Sequence, residues 1–198
     1  MRLLRGGIEG NARLTATTAI ALLVLLAAEG ATIPFVGRQL TLHVFLGLLL
    51  IPLVVLKLAS IAWRFGRYYT GHPDYVAKGP PAALMRLLVA PLVVASTLGL
   101  FGTGVLLVVL HPQRGFVLGL HKASFIVWFG AMGVHVLAYL LRTPVLARAD
   151  VGGSLAGGTL RRFVVAGAIV AGLIVAVAGL PAAHTWADWA AQHHHHDR

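Results

Sequence analysis

The sequence contains no cysteine. That absence excludes disulfide bonds, iron–sulfur clusters held by thiolates, and the covalent attachment of c-type haem. A cofactor in this protein would have to be held by histidine, methionine, lysine or carboxylate side chains, or by packing alone.

Charged residues are also scarce. Asp, Glu, Lys and Arg make up 11% of the 198 residues, whereas a soluble domain carries about 25%. Hydrophobic residues make up 58% of the chain, and the mean hydropathy is +0.84. These values predict an integral membrane protein in contact with lipid. The formal net charge of +10 does not indicate nucleic-acid binding, because the basic residues flank apolar segments, as in membrane proteins.

Apolar segments predict a single all-α domain, an integral membrane helical bundle of five transmembrane helices. The first segment is short for a membrane span, and Pro52 in the second is tolerated there as a kink. We expect a core made of the second to fourth helices, with the first and fifth at the flank. Residues 29–40 and 143–160 are predicted loops, because glycine and proline interrupt them. The predicted helices cover residues 14–28, 41–63, 84–110, 117–142 and 162–180, followed by a C-terminal tail at 181–198.

The distribution of basic residues predicts an orientation. With the N-terminus inside, eleven of the 16 Lys and Arg residues lie in inner segments and four in outer ones. Lys57 remains within the second segment. The positive-inside rule therefore predicts a multi-pass protein of the inner (plasma) membrane, with a cytoplasmic N-terminus and an external C-terminus.

The fourth segment carries two histidines, His121 and His135, which are fourteen residues apart. In a helix this spacing separates them by about 21 Å along the axis and keeps them within about 40° of one face. Neutral imidazole is a good axial ligand for haem iron. The pair therefore suits one haem in each leaflet, although two polar residues packed inside a bundle would show the same pattern.

His43 is the predicted partner of His121. The second and fourth segments both run from the outer to the inner side, so the two histidines lie at a similar outer depth. That arrangement predicts ligation of one haem b by both imidazoles, in a haem-binding core made of the second to fourth helices. Gly47, one turn after His43, leaves space on that face. His111, at the outer end of the third segment, is the alternative ligand.

The sequence offers several candidate partners for His135. Lys57 follows His43 by fourteen residues and so lies at the depth of His135. It could extend to the inner surface, contact a haem propionate or a quinone oxygen, or act as the opposite axial ligand. His72, in the inner loop, is another candidate ligand for an inner haem. Alternatively, His135 binds no iron and instead contacts a quinone or relays protons.

Three further features have weaker functional interpretations. Arg114 and Lys122, on the outer side, could hold haem propionates or dock an acidic partner. The run His193–His196 could bind a divalent metal, or belong to a disordered tail or a tag remnant. The patch of Gly99, Gly102 and Gly104 favours close helix packing over room for a flat macrocycle.

Two stretches, LTLHVFLGLLL in the second segment and LHKASFIVWFGAMGVHVLAYLL in the fourth, resemble bacterial membrane-bound b-type cytochromes. These include cytochrome b-561-like proteins and the cytochrome b subunits of respiratory hydrogenases, formate dehydrogenases and molybdenum enzymes. The histidine interval is also similar to that in the cytochrome b of quinol–cytochrome c oxidoreductases, where two helices carry it. In this chain the second segment has Lys57, not a histidine, fourteen residues after His43, so only the fourth segment carries the histidine interval.

The resemblance covers roughly residues 40–142. It implies electron transfer between the membrane quinone pool and a partner redox subunit, such as a molybdenum or flavin oxidoreductase. It also implies a membrane anchor without substrate chemistry of its own.

Two other classes of function compete with this interpretation. A membrane transporter or metal-handling protein could use His43, His111 and His121 as a shallow site. A proton-coupled pump usually has carboxylates inside the membrane. The carboxylate nearest to the membrane interior in this sequence, Glu29, is predicted at the interface. A haem-free subunit that anchors a larger complex is the other alternative.

Overall fold

The computed structural model describes residues 7–79, 82–110, 115–152 and 155–193. These parts of the chain are almost entirely helical and contain no strand, so the all-α prediction is confirmed. The helices are α1 (Gly7–Thr32), α2 (Val36–Tyr69), α3 (Pro73–Lys78), α4 (Ala90–Leu110), α5 (Gly115–Tyr139), α6 (Arg142–Gly152) and α7 (Gly158–His193).

Four stretches of the described chain are long and apolar enough to cross a membrane. They are Gly7–Tyr69, Met85–Leu110, Gly115–Tyr139 and Gly158–Asp188. The first stretch contains both α1 and α2. The second begins with a π-helical turn, Met85–Val89, that leads into α4.

A tight corner separates α1 from α2, where the sequence predicted a loop over residues 29–40. The corner is a 3-10 turn at Ile33–Phe35 with Pro34 in its first positions. Proline has no N–H group and cannot continue the hydrogen bonds of α1. Phe35 and Gln39 leave the helical conformation, with φ near −117° and −118°. The chain therefore turns in three residues, and α1 and α2 are both longer than the predicted segments.

The two helices run antiparallel. Near the start of α1, the Asn11 side chain donates a hydrogen bond to the Ser60 carbonyl, with a distance of 3.2 Å. Near its end, Glu29 contacts His43. Residues near the start of α1 thus contact residues near the end of α2, and residues near the end of α1 contact residues near the start of α2.

The apolar core lies around the middle of α2. Leu50 and Leu53 are almost completely buried, and they pack with Leu14 and Leu22 of α1 and with Val165 of α7. Each buried leucine side chain stabilises the fold by about 1.5–3 kcal/mol relative to an exposed one.

Small residues let α7 approach α2 closely. Gly172 lies against the backbone of Leu49, where a Cβ atom would collide with the carbonyl oxygen, and Gly179 lies against the Leu48 side chain. Ala176 is fully buried between these glycines. The packing of α2 with α7 is the most extensive in the described chain. The expectation that the first and fifth helices lie at the flank is therefore wrong, since both pack on α2.

The helices α4 and α5 form a second antiparallel pair. The Trp128 indole of α5 donates a hydrogen bond of 3.1 Å to Thr97 of α4. A Cβ atom on Gly99 would lie 3.0 Å from the Ser124 hydroxyl, so this glycine serves close helix packing. Trp186 of α7 donates to the Leu107 carbonyl at 2.8 Å and joins this pair to the rest of the bundle.

The predicted loop at 143–160 contains α6, which a buried ion pair holds in place. Arg161 donates to the Asp150 carboxylate through Nε at 2.8 Å and through Nη2 at 2.5 Å. Both side chains are at most 1% exposed. Arg13 of α1 also donates to the Ala149 carbonyl at 2.7 Å. These bonds fix α6 at the bundle end that carries the start of α1.

Large apolar side chains cover the outward faces of the helices. Phe116 and Leu141 are 83% and 86% exposed, and Phe129 and Leu137 are also largely exposed. An outward apolar surface of this extent is typical of helices that contact lipid.

Candidate functional site

The structure brings together the imidazoles of His43 on α2 and His121 on α5. Their ring centroids are 6.5 Å apart and their planes are nearly perpendicular, at 87°. In the described chain, α2 and α5 are not among the closely packed helix pairs. The two side chains therefore approach each other from helices that do not pack closely together.

Two acceptors from the end of α1 hold the Nδ1 atom of His43. It lies 3.0 Å from the Thr32 hydroxyl and 2.9 Å from the Glu29 carboxylate. The Thr32 hydroxyl donates its own hydrogen to the Glu29 backbone carbonyl at 2.6 Å, so it can accept from the ring. An ionised carboxylate only accepts. Both contacts therefore place a proton on Nδ1, and the neutral ring keeps a lone pair on Nε2.

The Nδ1 atom of His121 is held in the same way by α4. It lies 3.1 Å from the Thr103 hydroxyl and 3.1 Å from the Leu100 carbonyl. Thr103 donates its hydrogen to the Gly99 carbonyl at 2.6 Å and so accepts from the ring. The contacts again place the proton on Nδ1 and the lone pair on Nε2.

A glycine lets the His121 ring lie flush against α4. A Cβ atom on Gly104 would be 3.4 Å from Cε1 of that ring, a tight contact. Gly104 therefore makes room for the imidazole. At Gly102 the equivalent space is open within 4 Å.

The Nε2 atoms of both histidines make no hydrogen bond to any described residue. A histidine that binds a metal through one ring nitrogen almost always donates the other N–H to a carboxylate or a carbonyl. His43 has the carboxylate of Glu29 as this acceptor, and His121 has the carbonyl of Leu100. Both rings thus have the protonation that ligation through Nε2 requires.

The separation of the two rings fits a single iron ion between them. Metal–nitrogen distances of about 2 Å on opposite sides of one metal place the two ring centroids about 6 Å apart. The observed distance is 6.5 Å. Haem iron needs no more than two axial ligands from the protein, so the donor set fits haem b.

A site for a bare metal ion is not formed by the described residues. No group of three or more His, Asp or Glu side chains among them could hold a metal ion. Protein zinc sites use three or four such ligands. The predicted residues His111 and Arg114 lie outside the described part of the chain. The side chains of the run at 193–196 also lie outside it.

The structure does not assemble a second pair of ligands at His135. The His135 ring contacts Tyr139, one turn further along α5, with 5.0 Å between centroids. Lys57 forms no hydrogen bond with His135 in the described chain. Its ammonium group instead donates a hydrogen bond of 2.8 Å to the Thr15 carbonyl of α1. The sequence prediction did not consider that partner for Lys57.

The other two predicted residues, His72 and Lys122, form no hydrogen bond or ring contact with the histidine pair in the described chain. His72 precedes α3, with Nδ1 4.0 Å from the Asp74 carboxylate and its ring 5.5 Å from that of Tyr75. No hydrogen bond or ring contact within the described chain joins His72 to His135. Lys122 is exposed on α5, next in the chain to His121.

The sequence prediction missed the acceptors that hold the two histidines, Glu29, Thr32, Thr103 and the Leu100 carbonyl. The space that it assigned to Gly47 is taken by Glu29, whose carboxylate would lie 3.7 Å from a Cβ atom there. A glutamate at the end of an apolar segment was the available signal, because such a residue is costly in a membrane.

No family model, curated protein or solved structure matches the chain. The resemblance to b-type cytochromes therefore stays a prediction from the sequence.

Proposed function

We propose that this protein is a membrane b-type cytochrome, with one haem b held between α2 and α5 by His43 and His121. The observation that carries the proposal is the pair of imidazoles 6.5 Å apart, each with Nδ1 held by acceptors and Nε2 left for iron. The lack of close packing between α2 and α5 supports it, because a macrocycle held from both helices needs space between them.

Electron transfer is the activity that this donor set supports. Haem b held by His43 and His121 would supply one-electron transfer. The chain's own residues hold both rings in one tautomer and surround them with apolar helices. We propose that the electrons pass between the quinone pool and a partner redox subunit of an oxidoreductase complex.

We propose five membrane crossings in the inner membrane, with the N-terminus in the cytoplasm and the C-terminus outside. The antiparallel packing of α1 on α2 supports two crossings within Gly7–Tyr69. Arg13 and Arg161 lie at the bundle end opposite His43. Under the positive-inside rule that end is cytoplasmic, so the histidine pair lies toward the outer side.

We propose one haem per chain and assign His135 to a contact with quinone or to proton transfer. The closest ring partner of His135 in the described chain is Tyr139, not a second imidazole. The transporter alternative has less support, because the described residues offer no cluster for a bare metal ion.

The proposal is tested by measuring the haem bound per chain in the purified His43→Ala and His121→Ala variants. Each substitution removes one of the two ligands, so we expect the affinity for haem to fall at least about tenfold, since loss of a group that merely supports a ligand already costs that much, and the haem bound per chain to fall with it. Circular dichroism provides the control for retained helix. Full haem content in either variant, with b-type bands unchanged, would sink the assignment of that ligand.

A further inference from the structure

The two histidine sites differ in one chemical respect. Each Nδ1 contacts a threonine that donates to its own helix. The second acceptor is a neutral backbone carbonyl at His121 but the carboxylate of Glu29 at His43. The two histidines would therefore differ, as ligands, in the acceptor that holds Nδ1.

Glu29 is held in surroundings that are unfavourable for a carboxylate. Its side chain is 14% exposed, and its Oε2 atom is buried without a hydrogen-bond partner in the described chain. No lysine or arginine forms a salt bridge with it among the described residues; its partner is His43. Burial of a charge costs free energy unless the charge is paired and hydrogen-bonded. The one bond that Oε1 makes is therefore a strong constraint on His43.

The fold brings Glu29 to this position through the corner between α1 and α2. Glu29 and Thr32 lie on the last turn of α1, and the Thr32 hydroxyl bonds to the Glu29 carbonyl. The 3-10 turn at Ile33–Phe35 then reverses the chain. His43 therefore packs against the end of α1, and the Glu29 carboxylate also lies close to Gly47.

We propose that Glu29 is a positioning residue that makes His43 the more electron-donating of the two haem ligands and lowers the reduction potential of the iron. The inference rests on the proposed haem site. A hydrogen bond from Nδ1–H to a carboxylate raises the basicity of the ligating nitrogen. A negative charge near the iron also favours its more positive, oxidised state, and this effect is strong where water is excluded.

The test is an equilibrium redox titration of the purified haem protein and its Glu29→Gln variant. Glutamine keeps the size and a carbonyl acceptor, so the His43 site then resembles that of His121. We expect full haem content and a midpoint potential above that of the wild type. Glu9→Gln is the matched control, because it removes a carboxylate from the same helix about 30 Å away along its axis, and we expect no shift there.

Each outcome decides the inference. A raised potential with haem retained supports it. An unchanged potential with haem retained overturns it but leaves the proposed haem site standing. Wild-type protein without haem overturns the proposed function itself, and this is determined before any variant is made.

Loss of haem or poor accumulation of Glu29→Gln is resolved by Glu29→Asp, which keeps the charge on a shorter side chain. Haem retained in Glu29→Asp allows the redox titration on that variant: a midpoint potential equal to that of the wild type supports the inference, and a raised potential overturns it. Haem lost there too shows that side-chain fit, not charge, governs the site, and contradicts it.

Discussion

Each histidine of the candidate site is oriented by a threonine whose hydroxyl bonds to its own helix. The sequence alone could place His43 and His121 at a common depth, because their positions in two helices of the same direction determine it. It could not identify Thr32, Thr103 or Glu29. Their role depends on which helices pack together and at what register, and hydropathy does not encode that.

Lys57 is a second residue whose contact with another helix the sequence did not show. Its fourteen-residue offset from His43 predicted a depth near that of His135. The bond from its ammonium group to the Thr15 carbonyl depends on α1 packing against α2. No pattern along α2 could have shown that partner.

We expect the His135→Ala variant to retain haem. His135 has no second imidazole as a partner in the described chain, so its removal leaves the ligands His43 and His121 in place. Haem per chain and the absorption spectrum of the purified variant measure this. A fall from two haems to one would show an inner haem and contradict the single-haem proposal.

At the scale of the helix, hydropathy located the apolar segments but not their ends. The first segment was predicted at 14–28, whereas α1 covers Gly7–Thr32. A helix satisfies its own backbone hydrogen bonds and can continue through polar residues. Here Arg13 pairs with Glu9, one turn earlier, at 2.5 Å. The corner at Ile33–Phe35 is short because Pro34 stops α1 and the chain resumes a helix at once.

The contact between α2 and α7 depends on the absence of a side chain at Gly172. We expect Gly172→Ala to destabilise the protein by about 1–3 kcal/mol, the usual cost of an overpacked core, because the added methyl group collides with Leu49. Thermal unfolding in detergent measures the change.

Gly167→Ala is the matched control on the same helix. A Cβ atom there meets nothing within 4 Å, and alanine favours a helix by about 1 kcal/mol over glycine. We expect its stability to be equal to or above that of the wild type. Equal stability of the two variants would show that α7 does not pack on α2 through Gly172.

At the scale of the molecule, composition was sufficient to predict helices suited to a membrane, and the fold agrees with that prediction. Composition could not show how the helices are grouped. The structure has α1, α2 and α7 around one core and α4 with α5 as a second pair. The candidate site lies where the two groups meet.

Labelling of introduced cysteines tests the number of crossings. The chain has no cysteine, so wild-type protein is a blank control. With five crossings, a membrane-impermeant maleimide added outside intact cells labels Asp188→Cys and leaves Glu9→Cys unlabelled, because the two positions lie on opposite sides. Both residues are exposed. Labelling of both from the outside would indicate an even number of crossings.

The central claim is that His43 and His121 hold one haem b. The most direct measurement is the reduced-minus-oxidised absorption spectrum of the wild-type protein, purified from cells with an adequate haem supply, with haem quantified against protein. We expect sharp b-type bands and one haem per chain. Protein that is folded and free of haem under these conditions would contradict it.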